Sequence, residues 1–315
     1  MRATPLEPQD YRRTVVAVPP LPLTATLDIN AEANGTLIRH IERGGVNILL
    51  YGGNANLYHI DLGRLRVLLD LLVTQTGSET VVLPSIGPDL GRMLDAAPLL
   101  RQAGFHHAMA LPAGFPSDAA GIERGLRLAV QATGFGLVLY VKRDGYLEPA
   151  GIERLMKDGV IRFVKYAVER DDPFGDAYLA DIVSAVGADH VASGMGETPL
   201  HAHIVEDGLA TWTSGGVCIA PAAATALLAA YRAHDHEEAE RLRAPFLAFE
   251  KVRMALGGIS VLHDAVSLSG IADMGPILPM LSNIAEADRP AVRAVTEGLL
   301  AVEATCRDGA SRRSA

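Results

Sequence analysis

The sequence predicts an α/β protein, a (β/α)8 TIM barrel followed by a C-terminal helical extension. Three observations lead there. Short runs rich in β-branched residues recur eight times between residues 14 and 216. Each run is nearly continuous in apolar character rather than alternating, as parallel strands covered on both faces are. Helix-length segments with a 3.6-residue spacing separate them. Eight strand–helix units fit a closed barrel better than a doubly wound open sheet, which usually has fewer strands.

In chain order the strand candidates are TVVAVPPL (14–21), VNILLYGG (46–53), TVVLPSIG (80–87) and HHAMALPAG (106–114). They continue with GLVLYVK (136–142), VIRFVKYA (160–167), HVASGMG (190–196) and LATWTSGG (209–216). Among the helical segments, NAEANGTLIRHIERGG ends in a Gly pair that reads as a C-cap. GRMLDAAPLLRQAG and AAGIERGLRLAVQATG have the same periodicity. The barrel is assigned to residues 14–220. Only helical patterns follow, in 221–256 and 286–304, so 221–305 is assigned to the extension and 306–315 to a frayed tail.

Composition narrows the function. Hydrophobic residues make up 49% and charged residues 21%, enough apolar material for a large core. The net charge of −9 argues against a nucleic-acid partner and against an anionic membrane surface. Two cysteines, Cys218 and Cys306, form no CxxC pair, so a disulfide framework is not expected and a reduced, cytoplasmic setting is. MRATPLEPQDYRRT has no apolar core of a signal peptide. The run IAPAAATALLAAY is too short to span a bilayer. The histidines of HAH (201–203) and HDH (234–236) have no carboxylate at a recognised ligand spacing, so no metal is expected.

In a barrel, chemistry sits at the C-terminal strand ends. The sixth strand carries Lys165 inside an apolar run. A buried lysine loses its proton more readily. Two readings are open: the stem snorkels and the amine reaches water, or the amine is desolvated so that it can attack a carbonyl. Tyr140 ends the preceding strand, within reach of the same part of the mouth. A phenol beside an amine can move protons while the amine forms a carbinolamine and then an imine. Lys142 and Arg143, just beyond Tyr140, are candidate cations to depress the amine further. The second strand ends in a Gly-rich turn at Gly53 and Asn54, whose backbone N–H groups suit a carboxylate. Ser214, Gly215 and Gly216 end the eighth strand and allow close approach of a substrate. Of the remaining candidates, Tyr51 and Tyr58 flank the Gly-rich turn, and packing beneath it is the simpler role for them. Glu197 reads as a helix cap, Trp212 as core, and Cys218 as buried and inert.

These residues resemble the dihydrodipicolinate synthase / N-acetylneuraminate lyase family of class I aldolases over roughly residues 14–300. The resemblance implies a barrel with a helical extension, a homo-oligomer (tetramer or dimer), and a Schiff base between a strand-6 lysine and pyruvate or another 2-oxo acid. GLVLYVK is similar to the family's fifth strand and places its tyrosine at Tyr140. RFVKYAVERD is similar to its sixth strand and places the Schiff-base lysine at Lys165. GGVNILLYGGNANLYHID is similar to the segment that grips the substrate carboxylate. The departures are specific. The grip's two hydroxyl residues become Gly53 and Asn54, and its glutamate becomes Asn56. After the fourth strand Pro112 is followed by Ala113 and Gly114, where the family has tyrosines, and Phe115 offers no hydroxyl. The loop after Tyr140 lacks the NxPxRTG pattern of the lysine-biosynthesis synthase, with Arg143 as the nearest substitute for its arginine.

The expectation is a Schiff-base-forming lyase, an aldolase or dehydratase, acting on pyruvate or a sugar-derived 2-oxo acid, other than the lysine-biosynthesis synthase. Lys165 is the amine and Tyr140 the acid/base. Gly53, Asn54, Ser214, Gly215 and Arg143 bind substrate. No cofactor is needed, because the imine is itself the electron sink. The alternatives are a barrel that binds a small carboxylate as a sensor or regulator, and a barrel enzyme using Lys165 only as a charge toward a phosphate.

Overall fold

A computed structural model, which describes residues 1–2 and 4–313, closes eight parallel strands into a barrel in sequence order. They are β1 (Val16–Ala17), β2 (Ile48–Tyr51), β3 (Val81–Ile86), β4 (Met109–Ala110), β5 (Leu137–Val141), β6 (Ile161–Tyr166), β7 (Val191–Ser193) and β8 (Thr211–Ser214). Each falls inside a run assigned from the sequence, and β1 pairs with β8 to complete the ring.

The helices α1 (Pro8–Tyr11), α2 (Ala31–Arg43), α3 (Leu62–Gln75), α4 (Leu90–Gln102), α5 (Ala119–Thr133), α6 (Pro149–Lys157) and α7 (Ala177–Val186) precede the last two strands. Several start at side-chain caps: Asn30, Asp61, Asp118 and Asp176 each accept from a backbone N–H of the following turn. The seventh crossover carries a π-helical turn, His201–Glu206, in place of an α-helix.

Strand residues divide between two apolar clusters. One lies inside the barrel and includes Val16, Val18, Ile48, Leu50, Leu83, Met109, Val138, Tyr140 and Phe163. The other, with Leu49, Tyr51, Val82, Leu139 and Val164, faces the helices. Period-2 alternation therefore holds in space although both faces are apolar. The β5–β6 pairing contains one irregularity: Leu137 pairs with Ile161, but Val138 pairs with Phe163. The unpaired Arg162 is a bulge that turns Ile161 outward and Phe163 inward. Lys165, two residues beyond Phe163, keeps the inward phase. Below it, Tyr11 of α1 stacks on Phe163 with ring centroids 3.6 Å apart.

The extension consists of α8 (Pro221–Arg232), α9 (His236–Leu256), α10 (Gly258–Leu268) and α11 (Arg289–Arg313). The continuous pattern of 221–256 is broken at His234, which has φ +56°, and Asp235 caps α9 through the Glu238 N–H. Helix α10 was not separately anticipated. Helix α11 continues past residue 305 to Arg313, through most of the segment assigned to a frayed tail, whose last two residues lie outside the described ones. Phe246 and Phe249 bury α9 against the barrel. Gly216 makes room, since a Cβ there would stand 2.9 Å from the Phe246 ring. Among the described residues no helix is long and apolar enough to cross a membrane.

Candidate active site at the barrel mouth

Lys165 and Tyr140 pair directly across β5 and β6. Both point into the barrel, with 6% and 9% of their surfaces exposed. The Lys165 Nζ lies 4.2 Å from the centre of the Tyr140 ring. Above them opens a cavity of about 320 Å³ whose lining includes Gly53, Tyr58, Lys142, Thr213, Gly215 and Arg253. Gly194 of the seventh strand end holds the lysine stem closely, since a Cβ there would stand 3.1 Å from Lys165 Cε.

The electrostatics favour a neutral amine. Burial lowers the Lys165 pKa to about 7, and the charges of Lys142 and Arg253 push the same way. The ring face of Tyr140 favours the ammonium, but desolvation outweighs it. Burial also pushes the Tyr140 phenol well above its ordinary value, so it stays protonated near neutral pH. A snorkelling lysine does not fit, because the side chain is buried inside the barrel.

A depressed lysine pKa has a stability consequence of definite sign. The unfolded chain titrates at the ordinary 10.5 and the folded one near 7. Between these values the unfolded state binds the extra proton, so stability rises with pH through that window. The full cost of burying the charge is present below about pH 7. Lys165→Met is therefore expected to stabilise the fold by on the order of a few kcal/mol at pH 6. The gap to the parent protein should close as the pH approaches 10. Urea midpoints of the two proteins at stepped pH check both the sign and the window; a variant equal or inferior to the parent at pH 6 contradicts it.

The expected binding residues divide. Gly53 and Gly215 line the cavity, as does Asn54. The Asn54 side chain is already committed, however: its Nδ2 donates to the Val18 carbonyl at 3.0 Å and its Oδ1 accepts from Arg253 Nη2 at 3.0 Å. Asn56 has φ +54°, a conformation asparagine tolerates well, and its amide donates to Leu278 O. It shapes the turn.

Two assignments need correcting. Ser214 is buried behind the cavity wall, and its Oγ accepts from Val217 N. Arg143 lies outside the cavity, because its Nη1 donates to Ala113 O and its guanidinium lies over the Tyr146 ring. Lys142 alone of the two cations reaches the cavity.

Glu197 is no exposed helix cap. It is fully buried and accepts from Trp212 Nε1 at 3.0 Å. Burial and the nearby Glu250 carboxylate raise its pKa to about 7. Tyr51 is buried with its hydroxyl on Asn34, a packing role, whereas Tyr58 brings a second phenol to the cavity. Cys218 is buried, and its thiol is pushed well up by desolvation. No group of three or more metal-ligating side chains gathers among the described residues.

The sequence reading missed Glu250 and Arg253 altogether. Arg253 of α9 donates from Nη1 to both Glu250 oxygens, at 3.0 and 3.2 Å, and from Nε to Gly258 O at 2.8 Å. An i, i+3 Glu–Arg pair in a helix is ordinarily a surface pair, and the sequence carries no signal that this helix ends at the barrel mouth.

The fold and site define a (β/α)8 barrel with an inward-facing lysine and a helical extension over its mouth. No protein-family model and no curated protein matches the sequence. Solved structures do match. Dihydrodipicolinate synthase from Bacillus clausii superposes with a TM-score of 0.81 at 19% identity, covering 91% of this chain and 98% of that one. The Ruminococcus gnavus sialic acid aldolase gives 0.82 at 13%, covering 93% and 99%. YagE from E. coli K12, a protein of the dihydrodipicolinic acid synthase family solved in complex with pyruvate, gives 0.78 at 18%, covering 91% and 98%. At these identities the likeness is one of fold.

Proposed function

We propose that the chain is a Schiff-base-forming lyase, an aldolase or dehydratase, acting on pyruvate or a longer 2-oxo acid. One observation carries the reading: an amine of lowered pKa, buried against a phenol, opens onto a cavity at the catalytic end of a barrel. In this reading the neutral Lys165 Nζ attacks the C2 carbonyl carbon, and the carbonyl oxygen takes up a proton to give a carbinolamine. Protonation and loss of that hydroxyl as water leaves the iminium. Cleavage or deprotonation at C3 then places an electron pair on the imine nitrogen, forming an enamine. Tyr140, kept protonated by burial, donates the proton to the departing or arriving oxygen. The backbone of Gly53 and Asn54 borders the end of the cavity where the carboxylate rests.

Several facts support this over the alternatives. The similar folds include a sialic acid aldolase and a pyruvate complex. The lysine-biosynthesis reaction fits less well, since Arg143, the nearest substitute for the synthase's loop arginine, turns to Ala113. The commitment of Asn54 to Val18 and Arg253 favours the second reading, a barrel that binds a carboxylate without turnover.

Reductive trapping tests the proposal. Incubation with pyruvate and cyanoborohydride is expected to give a covalent adduct, mapped by mass spectrometry to Lys165 and lost in Lys165→Ala. Failure to trap pyruvate or longer 2-oxo acids removes the lyase reading. An adduct without turnover of any 2-oxo acid in a substrate screen leaves the binding barrel.

A further inference from the structure

The grip on the substrate carboxylate is where this chain departs most from what the sequence resembles, and it is where an unanticipated cation stands. Arg253 lines the cavity together with Gly53, Asn54 and Gly215. Its Nη2 contacts Asn54 Oδ1 at 3.0 Å. A Cβ on Gly215 would lie 3.4 Å from Arg253 Cζ, so a glycine at this strand end leaves the guanidinium uncovered by a side chain from β8.

The guanidinium is also fixed in place. Its partners are Glu250 through Nη1, Gly258 O through Nε and Asn54 through Nη2. Asn54 is tied in turn to Val18 O. An arginine has five N–H donors, and these contacts occupy at most four. At least one Nη2 N–H is left, on a guanidinium that lines the cavity. Glu250 is 4% exposed and accepts from Arg253 Nη1 with both carboxylate oxygens. The arrangement is pre-organised, so an anion arriving at the mouth meets a donor that needs no reordering.

We infer that Arg253 is the residue that selects a 2-oxo acid over a neutral carbonyl compound, by donating to the substrate carboxylate at the Gly53–Asn54 end of the cavity. The inference rests on the imine-forming role of Lys165 and adds to it a recognition residue supplied by the extension. Glu250 is a positioning residue, as is the Asn54 side chain. The lost hydroxyls of the turn are replaced by a charge from another element.

The test compares two probes that share a carbonyl and differ in charge, pyruvate and methyl pyruvate, each trapped on Lys165 by cyanoborohydride. In Arg253→Gln the pyruvate concentration giving half-maximal trapping should rise by roughly tenfold to a hundredfold, the worth of one charged hydrogen bond. Methyl pyruvate reports any change in the amine that follows from losing the Arg253 charge, so the pyruvate shift is read relative to it, and its continued trapping shows that the variant is folded. Because Arg253→Gln leaves Glu250 buried without its partner, the double variant Arg253→Gln/Glu250→Gln is measured alongside and should show the same selective loss. Arg253→Lys keeps the charge without the fork and should fall between. Unchanged pyruvate saturation in either Gln variant overturns the inference while the lyase reading stands. Equal loss of both probes assigns Arg253 to architecture and also overturns it. Absence of any adduct in the parent protein removes the lyase reading and this inference with it.

Discussion

The rate of pyruvate trapping should climb between pH 6 and 8 and then level off, with its midpoint near 7. An ordinary lysine would keep gaining about tenfold per pH unit to above 10. At pH 7 the difference in neutral amine is about a thousandfold, roughly half of Lys165 against a few parts in ten thousand of a free side chain. The groups facing the amine set the direction. Burial comes first, then the charges of Lys142 and Arg253, with the Tyr140 ring opposing. Glu169 and Glu250 also line the cavity. Lys142→Ala should therefore move the midpoint upward. Because the Glu197 carboxyl is raised into the same range, the profile is read on Glu197→Gln as well. A midpoint that persists there belongs to the lysine, and one that disappears belongs to the carboxyl and refutes the assignment. In Lys165→Ala the adduct should be absent at every pH.

Tyr140→Phe should separate attachment from proton transfer. Losing a positioned acid/base group typically costs about 10²–10⁴ in rate. The ring, and with it the packing against the amine at 4.2 Å, survives the substitution. The Lys165 adduct should still form to completion, though more slowly, under reducing conditions, which consume the imine as it appears. Exchange of the pyruvate methyl protons with deuterated water, followed by NMR, should fall by about 10²–10⁴, because it requires repeated passage through the enamine with proton delivery. Equal exchange rates in the parent and Tyr140→Phe would assign proton transfer to another group, with the Tyr58 phenol at the same cavity the first to examine.

The barrel was legible because parallel strands buried on both faces leave near-continuous β-branched runs, and turn residues bound them. Every strand was found within its run, though β1 and β4 shrank to two paired residues each, a matter of hydrogen-bond register that composition does not encode. Lys165 and Tyr140 were legible because they sit in those strands, where spacing fixes which residues share the mouth. Arg143 was misplaced because a loop has no such periodicity. Its guanidinium found a carbonyl and an aromatic face instead of the cavity. Ser214 was misplaced by a single step of alternation: Thr213, the residue before it, faces the cavity while Ser214 turns behind it. Arg253 and Glu250 were invisible because what matters is where α9 ends in space, and that depends on how Phe246 and Phe249 seat the helix on the barrel. The bulge at Arg162 was equally unreadable, although it sets the phase that turns Lys165 inward.

Helix α9 lies after the last strand in the chain, yet it delivers three side chains, Glu250, Arg253 and Met254, to the mouth that all eight strands build. During synthesis the barrel's residues are therefore complete before its pocket is. A nascent chain that has closed the ring still lacks its guanidinium until residue 253 has emerged and the helix has docked. The same separation lets variation in one helix retune the pocket while the lysine and tyrosine strands stay as they are. Exchanging the segment after residue 220 between barrels of this kind would replace the α9 side chains at the mouth and leave Lys165 and Tyr140 in place.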